Sequence, residues 1–146
     1  MIRPIERQDF DEVLDMMKVF YASDALLIHP EESVLRKTLE DAIEAGPYVE
    51  GFIFCEKEKL AGYGMIAKSY STEMGGRCVW IEDIYIKPEH RGKGLGTNFL
   101  QFVEDRFQNW AVRLRLEAEE DNEKAMAVYR NAGYEPLGYV QLVKEI

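Results

Sequence analysis

A chain of 146 residues, 47% hydrophobic and 12% aromatic, can bury one core without a disulfide or metal staple; disorder is excluded and a single domain, residues 1–146, is expected. A formal charge of −9 excludes a general nucleic-acid surface, and no apolar run approaches the ~18 residues of a membrane span. With no signal-peptide pattern at the N-terminus, a cytoplasmic protein without nucleic-acid or membrane partners is expected.

Residues 1 to 6 read as a short strand. Asp9 and Glu12 then form a capping-box pattern ahead of Phe10, Val13, Leu14, Met17, Phe20 and Tyr21, an amphipathic helix. A second helix follows "HPEES", with Val34, Leu35, Leu39, Ala42 and Ile43 on one stripe and Gly46-Pro47 stopping it. Strands are expected at 49–56, 60–70 and 77–87, joined by "EKEK" and "STEMGG" as an antiparallel meander. Cys55 and Cys78 fall inside these apolar runs. With His29 and His90 far apart they make no zinc spacing, so reduced core cysteines and no metal are expected. From Leu95 the period becomes helical through Phe99, Phe102, Val103, Phe107 and Trp110. "VRLRLE" (112–117) alternates as a strand. Asp121 or Asn122 caps a last helix carrying Ala125, Met126, Tyr129 and Ala132, which Gly133 ends, and the tail "YEPLGYVQLVKEI" can supply one or two final strands. This order gives an α+β fold with one central mixed, mostly antiparallel sheet flanked by helices.

Between the third strand of the meander and the third helix lies "KPEHRGKGLGT", richer in glycine and positive charge than a reversal of the chain requires. It bares backbone N–H groups at a helix start, which suits an anion. A P-loop would need Gly-x4-Gly-Lys-Ser/Thr, which is absent. A dinucleotide fold would place a glycine where Thr97 stands and would turn without the intervening "KPEH". "RGKGLG" instead fits the Arg/Gln-x-x-Gly-x-Gly/Ala pattern, and "EEDNEKAMAVYRNAGYE" (119–135) supplies an asparagine-helix-tyrosine segment. With these two motifs in this order, the chain resembles the GNAT N-acetyltransferase superfamily.

That resemblance implies acetyl-CoA as cosubstrate. Its pyrophosphate would lie on Arg91, Gly92, Lys93, Gly94, Leu95, Gly96 and Thr97, and its arm beside the backbone of Ile84, Tyr85 and Ile86. Asn122 would bond the arm, Ala125 would leave it room, and Tyr129 would face the sulfur. "WIEDIYI" resembles the polyamine and diamine branch, which implies Glu82 acting on the incoming amine through water. Two adjacent carboxylates in a central strand are costly unless paired or functional, so Asp83 is a second candidate for the amine, and the same resemblance implies Glu73 of "STEMGG" as a third. Trp80 and Tyr85 read as core or pocket-wall aromatics, and Met16 and Met17 as helix packing.

A primary amine of pKa ~10.4 is neutral only about once in 2,500 molecules at pH 7, a cost of roughly 4.6 kcal/mol. A carboxylate near ~4.3 cannot take that proton outright, so Glu82 is expected to orient the amine and head a water relay. The expected activity is acetyl transfer to a small cationic amine, by a homodimer whose "YVQLV" tail offers a pairing edge. Transfer to a protein N-terminus, a lysine or an aminoglycoside-type amine stays open, as does a non-catalytic acetyl-CoA-binding module.

Overall fold

The hydrophobic periods become helices and strands almost where they change. In a computed structural model, which describes residues 1–24 and 26–146, β1 (Ile2–Pro4) leads through a 3-10 turn to α1 (Phe10–Tyr21) and α2 (Glu32–Ile43). Strands β2 (Val49–Glu56), β3 (Lys59–Ser71) and β4 (Gly76–Ile86) follow, then α3 (Leu95–Phe107), β5 (Arg113–Leu116) and α4 (Glu123–Asn131). The sheet order is β1-β2-β3-β4-β5. Its first four strands pair antiparallel, whereas β5 returns parallel to β4 after the α3 crossover.

Alternation sends the side chains of each strand to two cores. On one face, Val13, Met17 and Leu39 of α1 and α2 pack with Ile53, Tyr63 and Met65. On the other, Phe99, Leu100 and Val103 of α3 pack with Phe52, Phe54, Ile66 and Val79. Gly64 lets α3 come close, because a Cβ there would lie 2.4 Å from the Phe99 ring. Phe99 is fully buried, and a side chain of that size contributes on the order of 1.5–3 kcal/mol by leaving water.

Two expectations change. Asp9 does not cap α1. It receives the Glu6 N–H at 2.8 Å and is clamped by both terminal nitrogens of Arg3 at 2.8 and 2.9 Å, while Glu12 pairs with Lys87 across the fold. A bidentate guanidinium outcompetes one helix N–H for a carboxylate. The tail contains no strand in residues 134–146, and Tyr139, Val140, Leu142 and Val143 are exposed. Apolar alternation favours extended backbone; a strand also needs a partner for its N–H and C=O groups.

Candidate active site

The chain leaves β4 at Ile86, makes a 3-10 turn over Pro88–His90, and enters α3 through Gly92 and Gly94, at φ +75° and +79°. A Cβ at either glycine would meet nothing within 4 Å, so backbone conformation rather than crowding calls for glycine. Gly94 is the N-cap of α3 and has no side chain with which to cap it. Asn98 N–H already reaches Gly94 O at 2.9 Å, but the N–H groups of Leu95, Gly96 and Thr97 precede the first intrahelical bond and stay available. With the positive end of the helix dipole behind them, these donors and the open space in front fit a pyrophosphate. Arg91 is steered by its Nε, which donates to Ile86 O at 2.9 Å. Lys93 points instead to Glu56, at 2.9 Å, and His90 Nδ1 meets the same carboxylate at 2.5 Å. Lys93, then His90, hold the Glu56 carboxyl below its usual range.

Strand β5 accompanies β4 only from Cys78 to Ile81. Beyond that point the β5-side edge of β4, carrying the backbone of Ile84, Tyr85 and Ile86, is open. The Gly96 Cβ position lies 3.7 Å from the Ile86 side chain, which places this open edge beside the glycine-opened start of α3. At the branch point β4 has a bulge: Ile66 pairs with Ile81 and Met65 with Asp83, so Glu82 has no partner on β3. Glu82 is solvent-exposed, whereas Asp83 is only 3% exposed. Desolvation first, then the Asp83 and Glu117 carboxylates, raise Glu82 above the ordinary glutamate range.

Asp83 faces the α1 side, where Tyr21 donates to it at 2.6 Å and Tyr63 at 3.1 Å. Both of its oxygens are engaged by protein, so Glu82 is the carboxylate of the pair that meets solvent. Burial lifts Asp83 to about 6, with the two hydroxyl donors opposing. A carboxyl raised above its unfolded value of ~3.9 adds stability that is complete below that value and is lost as pH rises through the folded one. The melting temperature of the wild type relative to Asp83→Asn should therefore fall between pH 4 and pH 7. A difference that stays constant over that range would show an unshifted Asp83.

Helix α4 begins at Asn122, whose Oδ1 accepts the Ala125 N–H at 3.3 Å and whose amide nitrogen is left to donate. Positions 122, 125 and 129 share one helix face, as spacing implies. The Tyr129 ring meets Tyr134 edge-on at 6.5 Å, and burial raises its hydroxyl above the ordinary tyrosine range. A cavity of about 780 Å³ brings Tyr129 together with Trp80, Arg115 and Glu117. Glu73 is not an unpaired carboxylate: Arg113 binds it, Tyr139 donates to it at 3.3 Å, and the Arg113 contact is the main cause of its lowered pKa. Sequence reasoning missed Arg115, whose guanidinium lies 4.1 Å from the centre of the Trp80 ring. The alternating "VRLRL" places both arginines on one face, but the pairing with Trp80 depends on the parallel register of β4 and β5.

Residues 12–134 match the family model described as acetyltransferase (GNAT) family. The thialysine N-epsilon-acetyltransferase of Bos taurus is 39% identical over 79 residues, 53% of this chain and 46% of the relative. That of Caenorhabditis elegans is 32% identical over 111 residues, 75% and 62% of the two chains. The chain spans about half the length of the curated relatives it matches. Among solved structures, AAC(6')-Iy in complex with the bisubstrate analog CoA-S-monomethyl-acetylneamine superposes with a TM-score of 0.81 at 14% identity, covering 100% of this chain and 97% of the other.

Proposed function

The chain belongs to the acetyltransferase (GNAT) family, and from that premise we propose that it transfers the acetyl group of acetyl-CoA to the primary amine of a small cationic molecule, the class that takes in diamines, polyamines and thialysine-like amines. The observation that carries this reading is the uncapped, glycine-opened start of α3 beside the open edge of β4. Acetyl-CoA supplies an acetyl group activated as a thioester. Leu95, Gly96 and Thr97 would hold its phosphates through backbone N–H groups, with Arg91 adding charge, and Asn122 would donate to its arm.

The remaining chemistry is proton management. Glu82 stands exposed at the bulge with its pKa raised, which makes it a better acceptor than an ordinary carboxylate but one still far below an ammonium. It therefore orients the amine and passes its proton to water. Tyr129, with its hydroxyl pKa raised by burial, keeps its proton at neutral pH and serves as a hydrogen-bond donor to the departing sulfur. An N–H of the open β4 edge supplies a donor for the acetyl oxygen.

The direct test is release of thiol from acetyl-CoA on addition of an amine panel that includes diamines, lysine, an aminoglycoside and a peptide N-terminus. Thiol release with none of them, alongside intact acetyl-CoA binding, would make this a binding module instead. In the active case Glu82→Gln should depress the rate at neutral pH and recover partly in alkaline buffer, where neutral amine is abundant. A defect independent of pH would make Glu82 a binding carboxylate only.

We further propose a cytoplasmic homodimer. The exposed apolar run from Tyr139 to Val143 supports a second copy as its partner. Sedimentation at micromolar concentration should give twice the 16.9 kDa chain mass, and a monomer alone would refute it.

A further inference from the structure

Taking acetyl-CoA as the cosubstrate, as proposed above, we infer that Glu56 at the end of β2 is a positioning residue for it: by clasping His90 and Lys93, Glu56 sets the glycine turn in its anion-ready shape before CoA arrives. That turn is fixed at both ends and loose in the middle. At its entrance Lys87 N–H reaches Ala61 O and His90 N–H reaches Lys87 O, both at 2.9 Å, and at its exit Asn98 N–H reaches Gly94 O at 2.9 Å. Between them, among the described residues, the N–H groups of Gly92, Lys93 and Gly94 meet no backbone acceptor. Two of these three residues are glycines at positive φ, and glycine loses more freedom on ordering than any other residue. Backbone bonds alone leave the approach to α3 unheld.

Side chains supply what the backbone lacks. Lys93 Nζ lies 3.2 Å from Glu56 Oε1 and 2.9 Å from Oε2, and His90 Nδ1 lies 2.5 Å from the same Oε2. One carboxylate thus ties together the residues on either side of Arg91 and Gly92. The connection that carries it is strained. Glu56 pairs with Lys59, which leaves Lys57 and Glu58 as a two-residue hairpin turn at φ +48° and +66°. A turn with both φ positive ordinarily takes Asn-Gly, and lysine and glutamate enter that region against steric resistance. Such a conformation persists where contacts beyond the turn hold it, and the grip of Glu56 on His90 and Lys93 is a contact of that kind.

Charge alone and the clasp predict opposite signs. Glu56 is an anion beside a site for anions, and it keeps Lys93 to itself; on electrostatics alone, its removal would tighten CoA binding. Ordering the turn in advance has the reverse effect, because without the clasp CoA must do the ordering and binding weakens. Fixing two glycines and the lysine between them outweighs one solvent-exposed charge screened by water, so the clasp decides the sign. Arg91, steered by Ile86 O rather than by a carboxylate, is left as the cation that meets the phosphates.

The test is calorimetric titration with CoA, set beside backbone 15N order parameters of the CoA-free protein. In wild type, Gly92, Lys93 and Gly94 should have the order parameters of rigid backbone, about 0.85; Glu56→Gln should lower them toward about 0.6 and raise the Kd for CoA about 10-fold. The melting temperature of the CoA-free protein should move by no more than about 3 °C, since an exposed ion pair adds little stability. In a chain already carrying His90→Gln and Lys93→Gln, Glu56→Gln should weaken CoA binding no further. Unchanged or tighter binding in Glu56→Gln would reduce Glu56 to a surface counter-charge and overturn the inference, as would an equal loss in both backgrounds. A much larger fall in melting temperature would make Glu56 structural and overturn it too. If wild type itself does not bind CoA, the acetyl-CoA reading fails and the order parameters decide the clasp: loosening of residues 92–94 in Glu56→Gln upholds Glu56 as the residue that orders the turn, and equal values in the two proteins overturn it.

Discussion

Gly94→Asp is expected to abolish the rise in melting temperature that CoA produces in the wild type. At about a hundredfold excess over Kd, a ligand that binds only the folded state adds about 2.7 kcal/mol, roughly 10 °C for a domain of this size. The apo protein should remain folded for three reasons. A Cβ at position 94 meets open space, aspartate tolerates the left-handed backbone better than most residues, and a negative charge favours a helix start. That same charge stands where the phosphates would lie, and its oxygen can take the N–H groups that α3 leaves open. A CoA-induced shift that survives in Gly94→Asp would place the anion site elsewhere.

Tyr129→Phe is expected to lower kcat by on the order of 10²-fold with CoA affinity nearly unchanged. The substitution removes one hydroxyl and keeps the ring that meets Tyr134, so packing is preserved. Burial already raises the hydroxyl pKa, so proton transfer to a thiolate is more uphill than for a tyrosine in water. The hydrogen bond matters when charge gathers on sulfur and little before. Wild-type kcat in Tyr129→Phe across the pH range would remove the hydroxyl from the chemistry.

Local signals carried far in this chain. The glycines before Leu95, the asparagine opening α4 and the shifts between periods of two and 3.6 located the sheet, the helices and the glycine-opened start of α3, because each depends on neighbours in sequence. What stayed hidden depends on residues brought together from afar. Lys93 reads as a free cation until the β2–β3 turn brings Glu56 to it. Glu73 reads as an available carboxylate until Arg113 arrives on the adjoining crossover strand. Plain alternation would put Ile81 and Asp83 on one face; a bulge that no residue type announces puts them on opposite faces, with Asp83 under two tyrosines. The arginine over Trp80 is a product of the same long-range register.

The bulge in β4 makes Glu82 supernumerary. Ile81 and Asp83 already sit opposite neighbouring positions of β3, Ile66 and Met65, so a strand shortened by residue 82 alone would keep every side chain on its present face. Losing any other residue from the middle of β4 would turn Asp83 or the isoleucines to the wrong core. Position 82 is thus the place in this strand that neither core needs, and its side chain can be chosen without regard to the packing on either face. Its backbone is another matter: an even-paced β4 would lose the local bend and could continue alongside β5 past Leu116, sealing the edge beside the start of α3.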